Sequence, residues 1–123
     1  MNKKIYDIAD KMVTALYKNG FTIQRYNACK TSSVYLKLDY GVCNSIRISD
    51  HKGKSHLHYR YILLVDDTTD ETVINELINR ILSDRQSKIA QYGINNYKRF
   101  MQQNKAEHMH DKNGFWNHSK LVK

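Results

Sequence analysis

The chain has no proline, five glycines, two cysteines and one tryptophan in 123 residues, and no long apolar run. No stretch approaches the roughly 18 apolar residues that a membrane-spanning helix needs, so no crossing segment is expected. The start, Met1-Asn2-Lys3-Lys4-Ile5, passes directly into an amphipathic pattern without an apolar signal region, and a cytoplasmic protein is expected. Cys29 and Cys43 are then read as free thiols at strand edges, not as a disulfide. They form no Cys-x-x-Cys, and the histidine pairs His56/His58 and His108/His110, with His51 and His118, do not complete a zinc pattern. No metal and no cofactor is expected; if zinc were bound, His56, His58 and Cys43 would be its first ligands. Gly-x-Ser-x-Gly, a phosphate-binding glycine loop and His-Glu-x-x-His are all missing, which removes the common hydrolase and nucleotide motifs. The missing proline excludes no function.

What is abundant is positive charge. The formal net charge is +8, distributed as +7 over residues 1–65, −3 over 66–92 and +4 over 93–123. A basic front, an acidic middle and a basic tail suit a polyanion or an acidic protein surface as partner. The alternative is that the charge serves only solubility.

Periodicity divides the chain into elements. Ile5, Ile8, Ala9, Met12, Val13 and Leu16 form one helical stripe, which Asn19-Gly20 ends. Residues 21–26 read as a first strand, Val34–Tyr40 and Asn44–Ser49 as a second and third joined at Gly41, and Leu57–Val65 as a fourth. Their short connections predict antiparallel neighbours. Asp66-Asp67-Thr68-Thr69-Asp70-Glu71 is a helix start, with Thr68 and Glu71 at capping-box spacing. The following stripe, Val73, Ile74, Leu77, Ile78, Ile81 and Leu82, extends to about Gln91, before the stop Tyr92-Gly93. Ile94, Tyr97, Phe100 and Met101 suggest a third, shorter helix. A polar tail follows from Asn104, with Phe115 and Trp116 as anchors. The expected fold is α+β: an antiparallel three- to four-stranded sheet flanked by two helices (α-β-β-β-β-α), with a C-terminal helical or irregular extension. Residues 1–93 form the compact domain, and 94–123 a short helix and basic tail. Ile8, Met12, Leu16, Leu36, Leu38, Ile48, Leu77 and Ile81 should share the core.

The solvent face of that sheet is the candidate site. Lys37, Arg47 and Arg60 alternate away from the apolar side, beside the loop residues Asp50, His51, Lys52 and Lys54. These cations would neutralise phosphates or carboxylates, and Tyr26, Tyr35, Tyr40, Tyr59 and Tyr61 could stack on bases or pack inward. Asp39, Asp50 and His51 could form a general acid–base pair, although Asp50 more naturally ends a strand by bonding backbone amides.

From Ser33 to Leu82 the chain resembles small proteins of phages that infect Gram-positive bacteria, among them anti-CRISPR inhibitors of type II effector nucleases. The residues that carry this likeness are Ser33-Val34-Tyr35 before a strand, Ile46-Arg47-Ile48-Ser49-Asp50-His51, and a further strand leading to an Asp-rich helix start. The resemblance implies a phage-encoded, non-enzymatic inhibitor acting in the cytoplasm of an infected bacterium, with a Cas effector nuclease or its guide RNA as partner. The arginine-rich N-terminus of part of that class has no counterpart here. Asn19-Gly20-Phe21 with Ile23-x-Arg25 is also similar to mRNA-interferase toxins of double-stranded-RNA-binding-domain-like fold. Where those toxins carry their catalytic histidine, this chain has Ser32-Ser33-Val34. An RNA- or DNA-binding domain, a small ribonuclease and a zinc protein are the remaining alternatives.

Overall fold

The computed structural model describes residues 2–52, 59–110 and 119–122. Helix α1 spans Lys3–Lys18, starting where Asn2 accepts a hydrogen bond from the Lys4 amide and ending before Gly20, whose φ of 85° reverses the chain. Strands β1 (Ile23–Asn27) and β2 (Val34–Leu38) pair antiparallel, and a 3-10 turn at Asp39–Gly41 leads to β3 (Ser45–Ser49), antiparallel to β2. Strand β4 (Tyr61–Leu64) follows, then α2 (Glu71–Tyr92), α3 (Ile94–His110) and the short β5 (Lys120–Leu121). The fold is α+β, as expected.

The sheet has five strands in the order β4-β3-β2-β1-β5, and it is mixed. Strand β4 runs parallel to β3, with Ile46 beside Tyr61 and Ser49 beside Leu64, which corrects the expectation of antiparallel neighbours throughout. The connection through residues 50–60 can reach about 36 Å when extended. A five-residue strand is only about 17 Å long. The chain therefore has the slack to return to the starting end of β3. The added strand β5 lies along β1, with Gln24 beside Leu121.

Helices α1 and α2 cover one face of the sheet. Ile5, Ile8, Met12 and Leu16 meet Leu36, Leu38, Ile46, Ile48, Ile78 and Ile81 in one core. Leu77 is only half-buried, because the inward stripe of α2 is Ile74, Ile78 and Ile81. Asp70, not Thr68, caps α2: its carboxylate accepts from the Val73 amide at 3.1 Å. Thr68 instead donates to Asp66, through its amide at 2.8 Å and its hydroxyl at 2.6 Å, in a turn that precedes the helix. Helix α3 is longer than the sequence suggests and packs against the 3-10 turn and α2, with Tyr97 1% exposed. No described helix is long and apolar enough to cross a membrane.

Candidate polyanion interface

Of the seven expected site residues, the six that are described do not form one face. Arg47 is buried at 4% exposure, a correction with a structural cause. Strand β3 lies between β2 and β4, opposite Tyr35 on one side and Ile62 on the other, and its last four residues are buried. Alternation by two marks a solvent face only where nothing covers that face. Here the rings of Tyr26, Tyr35 and Tyr59 form a row, with centroids 6.1 and 5.3 Å apart. Burial raises the Tyr59 hydroxyl above its ordinary pKa, and the nearby Arg47 charge opposes that shift.

Strand direction separates most of the remaining candidates. Because β2 and β3 are antiparallel, Lys37 is level with Ser45, while Asp50, His51 and Lys52 leave the opposite end of β3. Because β4 is parallel to β3, Arg60 falls at the Lys37 end. Lys54, His56 and His58 lie outside the described residues, as do Phe115, Trp116 and His118.

At the far end, Ser49 ties the corner together. Its buried hydroxyl is 2.7 Å from Ser33 Oγ, 3.0 Å from His51 Nδ1, and accepts from Arg47 at 3.1 Å. His51 Nδ1 is also 3.1 Å from Asp50, whose other oxygen accepts from Asn2 at 3.3 Å. The hydrogen bond with His51, and then that from Asn2, lower the Asp50 pKa. A serine–histidine–aspartate relay sets nucleophile and acid on different ring nitrogens. Here both meet Nδ1, and the serine is buried. This geometry fixes a corner that exposes Asp50, His51 and Lys52. Asp39 stands at the other end of the sheet, so of the three acid–base candidates named from sequence only Asp50 and His51 come together.

The near end is organised by the 3-10 turn. Asp39, Tyr40 and Asn44 all have positive φ, between 51° and 65°, a conformation that non-glycine residues rarely adopt. Asp39 is held there by its surroundings. Its amide donates to the Thr22 carbonyl at 2.7 Å, and its buried carboxylate accepts from the Thr22 amide at 2.9 Å, Arg85 Nε at 2.7 Å and the Tyr97 hydroxyl at 2.5 Å. The Arg85 guanidinium also lies 4.4 Å from the Phe21 ring centre and donates to the Asn19 and Gly20 carbonyls.

Around this strained turn, four cations converge from β2, α2, α3 and the segment just before β4. A Cβ placed on Gly41 would stand 3.0 Å from Lys37 Cε, so the Lys37 stem lies along the turn. Lys88 of α2 donates to the Val42 carbonyl at 2.6 Å. Lys105 of α3 lies 5.8 Å from the Tyr40 ring centre, and the adjacent Asn104 donates to the Tyr40 carbonyl at 2.9 Å. Arg60 and Lys88 share an open cleft of about 400 Å³ with Asn44, Tyr61, Asp84 and Ser87. Two carboxylates near this end are engaged: Asp39 as above, and Asp84 by the Tyr61 hydroxyl at 2.7 Å. Sequence reasoning missed Lys88 and Lys105 because each lies on a helix far along the chain from Lys37. Only the packing of α2 and α3 on the turn brings them there.

Among the described residues, no group of three or more His, Cys, Asp or Glu side chains is placed to hold a metal ion. No family model, curated protein or solved structure matches this chain.

Proposed function

We propose that this protein is a phage-encoded inhibitor of a type II RNA-guided nuclease, and that it binds the effector or its guide RNA through the basic end of the sheet. The observation that supports this reading is the convergence of Lys37, Arg60, Lys88 and Lys105 around the turn at Asp39–Gly41. Clustered cations attract phosphates and acidic surfaces, and carboxylates already bonded to Arg85, Tyr97 and Tyr61 compete little for them. The cluster replaces the flat basic face inferred from sequence, and retains two of that face's residues, Lys37 and Arg60.

The decisive experiment is guide-directed DNA cleavage by a type II effector, with the protein titrated to saturation. Cleavage should stop at a stoichiometric ratio. The second reading, a non-enzymatic RNA- or DNA-binding domain, draws on the same cations and on Tyr40 beside Lys105. Untouched cleavage together with an RNA gel shift that weakens steeply with salt would select that reading. Neither effect would remove both.

A further inference from the structure

The sheet ends in an open strand. Strand β4 is last in the order, and among the described residues nothing pairs with its outer edge. Burial alternates along it: Tyr61, Leu63 and Val65 face the core, while Ile62 is 58% and Leu64 43% exposed. Arg60 and Asp66, at either end of this stretch, are exposed too. Natural edge strands are commonly blunted by lysine, proline or a bulge, and this edge carries two branched apolar side chains instead.

The exposed residues read cation, apolar, apolar, anion from Arg60 to Asp66, and the same row reads anion, apolar, apolar, cation in reverse. Such a row complements itself under two-fold symmetry. Antiparallel pairing centred on Leu63 sets Ile62 of one copy against Leu64 of the other, and Arg60 against Asp66, with each contact made twice. Moving the register by two residues toward either end puts a charge against an apolar side chain. A one-residue shift would bring core-facing positions opposite solvent-facing ones. Only the centred register satisfies both the charges and the apolar pair.

We propose that the protein forms a symmetric dimer by antiparallel pairing of β4 with β4 of a second copy, joining two five-stranded sheets into one. The occupant is a second copy because the pattern is self-complementary, and a two-fold interface requires that the same patch recognise itself. The pairing shares Arg60 with the basic end, but Ile62 and Leu64 belong to the pairing alone, so their lysine variants let dimerisation and inhibition fail separately. A short edge strand buries little area, so the affinity falls at the weak end of specific interfaces.

The test is sedimentation equilibrium of the full chain from low to several hundred micromolar. The mass should rise from the 14.5 kDa of one chain toward that of two. Ile62→Lys and Leu64→Lys should each remain monomeric throughout with an unchanged thermal melt, and Arg60→Glu should weaken association by at least about tenfold. Leu121→Lys, on the opposite edge strand, should dimerise like the parent chain. A parent chain that stays monomeric across the range overturns the proposal. So does a dimer that survives Ile62→Lys and Leu64→Lys, or one that only Leu121→Lys dissociates.

Discussion

Asp39 and Arg85, 46 positions apart in sequence, meet in a 2.7 Å charged hydrogen bond whose carboxylate is wholly buried. The pair joins the end of β2 to the middle of α2, and Tyr97 adds α3 to the same carboxylate. One acidic side chain thus connects three elements and holds the left-handed turn that the four cations surround. The carboxylate avoids the penalty of an isolated buried charge because an amide, a guanidinium and a phenol all donate to it.

Removing one partner of such a pair leaves the other without compensation. Asp39→Ala should therefore cost about 3–5 kcal/mol in urea unfolding. Arg85→Lys should recover little of the loss seen in Arg85→Ala, since an ammonium cannot reproduce the planar fork that spans Asp39 and two carbonyls. Tyr97→Phe, which removes one hydrogen bond to a charged group, should cost about 1.5–3 kcal/mol. A Tyr97→Phe value near zero would mean that α3 is not anchored through Asp39.

The core makes a graded forecast. Ile81 has no exposed surface, and Ile81→Ala should cost about 2–5 kcal/mol. Leu77 packs at the rim, so Leu77→Ala should cost about 1 kcal/mol. Equal losses at both sites would contradict the orientation of α2.

Alkaline pH should weaken the fold. Burial, and next the Asp39 charge, raise the Cys43 thiol from 9.0 to about 11. Burial and acceptance by Asp84 also raise the Tyr61 hydroxyl, and burial with Asp39 raises that of Tyr97. A group whose folded pKa lies above its unfolded value holds its proton longer in the native state. Its contribution is complete below the unfolded pKa and is lost as pH rises through the folded one. Stability should thus decline from about pH 9 upward in denaturation series. Under native conditions near neutral pH, a thiol reagent should label exposed Cys29 and spare Cys43 until the chain unfolds.

At the basic end, Arg60→Ala and Lys105→Ala should each weaken target binding at unchanged melting temperature, and each should lower the salt dependence of that binding. Lys3→Ala, on exposed α1, should leave binding as it is. Equal losses from all three would indicate diffuse charge attraction with no defined patch.

Prolonged chelation should leave the melting temperature unchanged, because the cysteines and histidines show no standard zinc-ligand spacing in the sequence. A stoichiometric zinc detected by elemental analysis of the purified protein would overturn this expectation.

Local chemistry determined much of the architecture. The stripe from Ile5 to Leu16, the stops at Gly20 and Gly93, and the alternation along β2 and β3 are nearest-neighbour patterns, and α1, α2 and these strands formed where the patterns lie. Tertiary structure decided what no short window contains. The slack in residues 50–60 let β4 lie parallel to β3, and Arg47, between β2 and β4, came to lie buried beside Tyr35 of the tyrosine row. The Asp39 contacts drew Arg85 and Tyr97 to the turn, while Lys88 and Lys105 bond to or stack on the turn itself. Hydrophobic period reports which side of an element is apolar. It does not report which element will cover the other side, because that depends on contacts between residues far apart in the chain.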